Sequence, residues 1–232
     1  MSDVAIIPAR GGSERIPRKN IRPFAGTPMI ARSIRTAQDS GCFDAVVVST
    51  DDEDIADVAR GHGAEVPFVR PARLADAHSG TTAVMQHAVQ TLVEAGADLG
   101  LVCCLYATAP LLTPGLLREG RDALRRSRAS YAFSVARFAS PIQRALRIRS
   151  DGTVEPFWPE YVMTRSQDLE PGFHDAGQFY WGTAEAWSQA RPIHASLSVP
   201  VVLPAERVQD IDTPEDWRRA ESLYALLQED ER

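Results

Sequence analysis

Short apolar runs and amphipathic segments alternate through the first two-thirds of this chain, and that alternation restricts the fold more than any other feature. Residues 4–7, 45–49, 65–68, 100–105 and 131–135 are brief and rich in Val, Ile and Ala, as buried strands are. Residues 29–40, 54–61, 81–95 and 114–126 repeat their apolar positions with helical spacing. Pro28 stands where the first helix can begin and Gly41 where it can end. Thr113-Pro114 likewise opens the fourth, with Thr113 as its cap. Strands alternating with helices form a mostly parallel sheet covered on both faces, an α/β fold. Such sheets bind ligands beyond the C-terminal ends of their strands. Three polar stretches fall there: residues 8–20, Thr50-Asp51-Asp52 and Tyr106-Ala107-Thr108.

The pattern breaks at about residues 138–175, where Pro141, Pro156, Pro159 and Pro171 interrupt short stretches. This segment reads as an inserted hairpin or arm within a single domain spanning 1–232. Strand patterns resume at 178–181 and 199–203. Thr213-Pro214-Glu215-Asp216 opens a last helix that runs to about residue 227.

Behind the first strand comes Arg10-Gly11-Gly12-Ser13-Glu14-Arg15-Ile16-Pro17-Arg18-Lys19-Asn20. Its glycines allow a tight turn with outward N–H groups, and it carries four positive charges. A strand running into such a loop is built to bind phosphate, although a solvated basic loop has the same spacing. It lacks the Gly-Lys-Ser/Thr of a Walker loop and the G-x-G-x-x-G of a dinucleotide site. Lys19 is the single lysine among 25 Lys and Arg residues, which points to a place needing a compact ammonium rather than a planar guanidinium.

A formal net charge of −6 argues against a general nucleic-acid binder and makes the loop a local anion site. No apolar run has the length of a membrane span. Cys42, Cys103 and Cys104 form no C-x-x-C, and the adjacent pair would face opposite sides of a strand. With no signal-peptide pattern, the reading is of a reduced, cytoplasmic protein.

Asp210-Ile211-Asp212 sets two carboxylates at i and i+2, on one side of an extended strand end. Two such hard oxygen ligands beside a triphosphate loop suit Mg²⁺; the alternative is that Asp212 or Thr213 caps the last helix. The acidic run 51–54 reads as a helix start. Arg70 and Ser79-Gly80-Thr81 can form a nucleobase and ribose site, or a surface loop with an N-cap at Thr81. Arg165 and His174 lie in polar stretches, and Arg165 could pair with a substrate carboxylate.

Residues 7–20 resemble the first motif of the CMP-sialic acid synthetase family of cytidylyltransferases. Val47-Val48-Ser49-Thr50-Asp51, Arg70-Pro71 and Asp210-Ile211-Asp212-Thr213 match the same family in the same order. Within it the chain is similar to the pseudaminic acid branch, on Cys103-Cys104-Leu105-Tyr106-Ala107-Thr108-Ala109-Pro110, Pro141-Ile142-Gln143-Arg144-Ala145-Leu146, Thr164-Arg165-Ser166-Gln167-Asp168-Leu169 and His174-Asp175-Ala176-Gly177-Gln178-Phe179-Tyr180-Trp181. The resemblance implies a Rossmann-like nucleotidyltransferase fold with a dimerisation arm, hence a homodimer. It implies Mg²⁺-dependent transfer of CMP from CTP to a nine-carbon 2-keto sugar acid, a nonulosonic acid. Arg10, Gly11, Gly12, Ser13 and Lys19 would hold the triphosphate; Asn20, Arg70, Ser79 and Thr81 the cytidine; Asp210 and Asp212 the metal; Tyr106, Arg165, Gln167, His174 and Gln178 the sugar. Of these, Arg10, Lys19 and Asp212 would carry the catalysis. Sialic or legionaminic acid remains the alternative sugar. The family carries Lys where this chain has Glu14, which leaves open a catalytically weakened, nucleotide-binding regulatory subunit.

Overall fold

A computed structural model of the chain describes residues 1–76, 79–195 and 197–230. The elements run β1 (Ser2–Pro8), β2 (Pro23–Phe24), β3 (Thr27–Pro28), α1 (Met29–Ser40), β4 (Ala45–Ser49), α2 (Glu53–Gly61), α3 (Thr81–Glu94), β5 (Leu99–Leu105), α4 (Pro114–Arg126), β6 (Tyr131–Arg137), β7 (Leu146–Ile148), β8 (Val154–Pro156), β9 (Phe173–Thr183), α5 (Ala184–Ser188), β10 (Ser198–Val202) and α6 (Pro214–Asp230). Six strands form one sheet in the order β10-β6-β9-β5-β1-β4. β1 pairs in parallel with β4 and β5, and β10 with β6. The expected mostly parallel sheet is therefore present.

β9 is the exception, running antiparallel to both β5 and β6. Its centre, Ala176 and Gln178 to Gly182, is buried, so its composition reads like a parallel core strand. The expected strand at 65–68 does not form. Glu65 and Val69 make only isolated bridges to Val47 and Thr50, and Pro67 between them has no N–H for a ladder.

Side-chain alternation along the strands divides the interior into two cores. Ala5, Ile7 and Cys103 pack on one face against Ile30 and Ile34 of α1, Ile55 of α2 and Leu117 of α4. Val4, Ile6 and Cys104 pack on the other against Met85 and Val89 of α3 and Trp187 of α5. Cys103 and Cys104 do face opposite sides, as period 2 requires, and all three cysteines are free and buried.

A third, smaller core lies beside the sheet. Ile16 and Phe24 from the segment after β1 pack with Ile211, Trp217 and Ala220. Phe24 meets Trp217 edge-on at 5.5 Å and Tyr224 at 5.6 Å. Each such pair contributes about 0.5–1.5 kcal/mol beyond its buried area. This core docks α6 and the Asp210–Asp212 stretch onto the basic loop.

Between β6 and β9 the chain leaves the sheet. β7 and β8 pair as an antiparallel hairpin, with Leu146, Ile148 and Val154 exposed. Short 3-10 turns at Ile142–Arg144, Pro159–Tyr161 and Ser166–Asp168 complete the segment. Because β9 already begins at Phe173, the irregular stretch ends three residues earlier than the sequence reading placed it.

Candidate active site

A polar cleft of about 460 Å³ opens at the C-terminal ends of β1 and β5. Arg10, Ser13, Lys19, Asn20, Arg70, Ser79, Thr81, Tyr106 and Asp212 all line it, so nine of the residues singled out from the sequence converge here. Glu14, Arg15 and Thr108 line it too.

The loop after β1 is braced from below by the acidic run. Asp52 caps α2, its Oδ1 accepting from Ile55 N at 3.0 Å, which bears out the helix-start reading. Its Oδ2 accepts from Arg18, and Asp54 accepts from the same guanidinium, both at 2.6 Å. Arg18 has φ 56°, an uncommon backbone conformation for a side chain of its size. A β-carbon on Gly11 would lie 2.6 Å from Asp52 Oδ2 and 2.9 Å from Asp52 Cβ, so only glycine fits this approach. Gly11 N donates to Asp51 Oδ1 at 3.1 Å and Ser13 N to Gly11 O at 2.9 Å. Against the expected outward nest, the N–H groups of Gly11 and Ser13 are thus both engaged by the protein, and neither Gly11 nor Gly12 lines the cleft. Positive potential comes from side chains instead.

Lys19 joins the loop to the far end of the chain. Its Nζ, on a side chain 19% exposed, donates to Ile211 O at 2.6 Å and to Asp212 Oδ1 at 3.3 Å. Arg15 pairs with Asp212 Oδ2 at 2.9 Å. Arg18 is tied to Asp52 and Asp54, so of the two arginines only Arg15 is placed to offset Glu14, which stays on the cleft wall.

Asn20 is buried and donates to Arg10 O at 3.0 Å. Arg70 is also buried; its Nε donates to Ser49 Oγ at 3.2 Å and its Nη2 to Ser49 O. Burial lowers its pKa to about 10, so it stays cationic at neutral pH and gains from an arriving anion. Thr81 does not cap α3; Gly80 holds that position without a side-chain bond. The Thr81 hydroxyl instead meets Tyr106 Oη at 2.6 Å. Ser79 donates its N–H to Asp76 Oδ1 at 2.6 Å.

The region from residue 4 to 148 matches the cytidylyltransferase family model. The chain is 44% identical over 229 residues to the pseudaminic acid cytidylyltransferase of Campylobacter jejuni, covering 99% of each. This chain belongs to the cytidylyltransferase family. A CMP-N,N'-diacetyllegionaminic acid synthase of Legionella pneumophila is 32% identical over 236 residues, again with 99% of each chain covered. A CMP:2-keto-3-deoxy-manno-octonic acid synthetase has the same fold, with a TM-score of 0.68 at 18% identity over 97% of this chain and 99% of that one.

The metal-ligand expectation can be weighed from the donor set of this cytidylyltransferase. Thr213 and Asp216 form the cap of α6: Asp216 N donates to Thr213 Oγ1 at 3.2 Å and Thr213 N returns to Asp216 Oδ2 at 2.8 Å. Asp212 therefore is not needed as a cap. The Asp210 carboxyl lies above its ordinary pKa, first through desolvation and then through the negative charge of Asp212. A carboxylate desolvated beside a second negative charge favours a bound cation. Among the described residues no cluster of three or more metal-binding side chains exists. Such a pair fits an ion of the Mg²⁺ type, which takes one or two carboxylates and completes its shell with water and phosphate.

The sugar-side expectations divide. Tyr106 lines the cleft. Arg165 lies on the exposed arm, paired with Asp168 at 2.8 Å, and Gln167 beside it is exposed. His174 is exposed against Phe138, with ring centroids 4.9 Å apart. Gln178 is buried, donating to Ala176 O at 3.1 Å and leaving its Oε1 without a partner. A second cavity of about 410 Å³ shares Thr81 and Tyr106 with the cleft and is lined by Asp175, Tyr180 and His194, none of them singled out from the sequence as site residues. Asp175 and Tyr180 sit in the very stretch that carried the resemblance, but only the strand's irregular course shows where they point.

Proposed function

We propose that this cytidylyltransferase transfers CMP from CTP to the anomeric hydroxyl of pseudaminic acid, releasing pyrophosphate. The observation that carries the reading is full-length identity of 44% to a pseudaminic acid cytidylyltransferase. The composition of the cleft supports it. Arg10, Lys19 and Ser13 are suited by their chemistry to the triphosphate, and Arg70, Asn20, Ser79 and Thr81 to cytidine, and all seven line the cleft. The sugar's hydroxyl attacks the α-phosphorus and pyrophosphate leaves in line. Lys19 and Arg15 stabilise the charge that develops, and the walls orient both reactants. Asp210 and Asp212 would hold Mg²⁺, which when bound neutralises phosphate charge and lowers the hydroxyl's pKa.

The apolar hairpin supports a homodimer. Ile148 is 78% exposed, Val154 62% and Phe157 51%, a surface suited to burial against a second copy. Among the described residues, no helix is long and apolar enough to cross a membrane. Incubation with CTP, Mg²⁺ and a panel of pseudaminic, legionaminic and sialic acids, read by pyrophosphate release, tests the assignment. Turnover of pseudaminic acid ahead of the others is expected. Preference for another sugar would reassign the substrate, and CTP binding without turnover of any would favour the regulatory alternative.

A further inference from the structure

β9 carries an irregularity that remodels the second cavity. Val135 of β6 pairs with Asp175, whereas Phe133 pairs with Tyr180, so Ser134 alone faces Ala176, Gly177, Gln178 and Phe179. Gly177 has φ +60°, and the buried Ser134 hydroxyl holds the excess chain, donating to Phe179 O and accepting from Gln178 N and Phe179 N. Such bulges re-aim side chains. Here Asp175 is turned back beneath Tyr180, although the two are five residues apart.

The Asp175 carboxylate is fully engaged. Oδ1 accepts from Gly177 N at 2.8 Å; the Tyr180 hydroxyl donates across both oxygens at 2.9 and 2.8 Å; Oδ2 meets His194 Nε2 at 2.9 Å. The Tyr180 ring stacks on Phe133, and the His194 ring meets Phe133 edge-on at 5.2 Å, so both are held in orientation. With its proton given to Asp175, the Tyr180 oxygen is left as an acceptor. With Nε2–H directed at a carboxylate, the neutral His194 ring keeps Nδ1 as an acceptor. Tyr106 is raised to about 12 and Tyr180 is raised as well, both first by desolvation, so both remain phenols rather than bases.

We propose that Asp175 is a positioning residue for substrate selection: by fixing the proton of Tyr180 and the tautomer of His194, it makes this cavity present hydrogen-bond acceptors to the hydroxyl and acylamino N–H donors of the sugar acid. The inference rests on the function proposed above. Asp175 does not touch the substrate; it sets the polarity of the groups that do.

The test compares Asp175→Asn, Tyr180→Phe and His194→Gln with the unaltered enzyme, measuring the KM for the sugar acid and the KM for CTP separately. Asn is close in shape, but its amide nitrogen donates where Oδ2 accepted, so the site loses the acceptor shared by His194 Nε2–H and the Tyr180 hydroxyl. A sugar KM raised about 10-fold, with the CTP KM within about 2-fold, is expected for Asp175→Asn. Tyr180→Phe removes one hydroxyl without touching Gly177 and gives the same split if Asp175→Asn fails to fold. Nitrogen NMR of His194 reports the Nε2–H tautomer in the unaltered enzyme and its loss in Asp175→Asn. Direct titration of the sugar acid reads the same contrast without turnover. Unchanged sugar KM in all three variants, or equal rises in both KM values, overturns the inference. Absence of turnover of any sugar by the unaltered enzyme overturns the proposed function instead, and titration then shows whether the cavity binds the sugar acid at all; no binding overturns both.

Discussion

Lys19 Nζ lies 2.6 Å from Ile211 O and 3.3 Å from Asp212 Oδ1, joining the basic loop after β1 to the Asp210–Asp212 stretch across nearly the whole chain. An ammonium can serve a carbonyl, a carboxylate and one further acceptor from a single compact atom. The third hydrogen is what a triphosphate oxygen can take.

Lys19→Arg is therefore not conservative. A planar guanidinium cannot enter the space between Ile211 O and Asp212 without displacing one of them. The expected result is a kcat reduced about 10-fold to 100-fold, because misplacement by about an ångström costs that much in positioned catalysis. Steady-state kinetics of pyrophosphate release check it; wild-type kcat in the variant would refute it.

Asp210→Asn and Asp212→Asn are each expected to lower turnover about 10²-fold or more while leaving the melting temperature near that of the unaltered protein. The α6 cap is made by Thr213 and Asp216, so neither change removes it. Titration of activity with Mg²⁺ and with Mn²⁺ measures the apparent metal affinity, which is expected to weaken in both variants. Full activity in both removes the metal assignment.

Glu14→Lys reverses a charge on the cleft wall. Arg15 is engaged with Asp212 and Arg18 with Asp52 and Asp54, so neither fully compensates for Glu14. Added positive potential is expected to lower the KM for CTP several-fold at low salt and less at high salt. An unchanged KM across ionic strength would place Glu14 outside the nucleotide's field.

Ile148→Glu, on the exposed face of the β7–β8 hairpin, is expected to convert a dimer into a monomer. Light scattering at micromolar concentration reads the mass directly. A monomer in the unaltered protein would remove the dimer proposal.

Much of this was legible in the sequence because it depends on local periodicity and capping. The bounds of α1, α4 and β4 match the expected ones, since Pro28, Gly41 and Thr113 stop or start helices through their own backbone and hydroxyl chemistry. Thr113 accepts from Leu116 N, and Thr213 and Asp216 cap each other, as their spacing implies. Motif resemblance brought Lys19, Arg70 and Asp212 to one cleft without any distance being known.

What only the tertiary structure decided is pairing across long separations and the parity of side chains beyond an irregularity. Arg15 and Arg18 are alike in sequence, yet one faces Asp212 and the other Asp52, because the third core of Ile16, Phe24, Ile211 and Trp217 docks α6 on one side of the loop. The direction of β9 was hidden because burial on both faces gives the same composition in either sense. His174 and Gln178 do not reach either cavity, while Asp175 and Tyr180 reach the second, because the residues facing Ser134 shift the period-2 register along β9. Period and capping act over a few residues and can be read from them; a bulge or a docked helix is set by the packing energy of distant surfaces, which no local pattern contains.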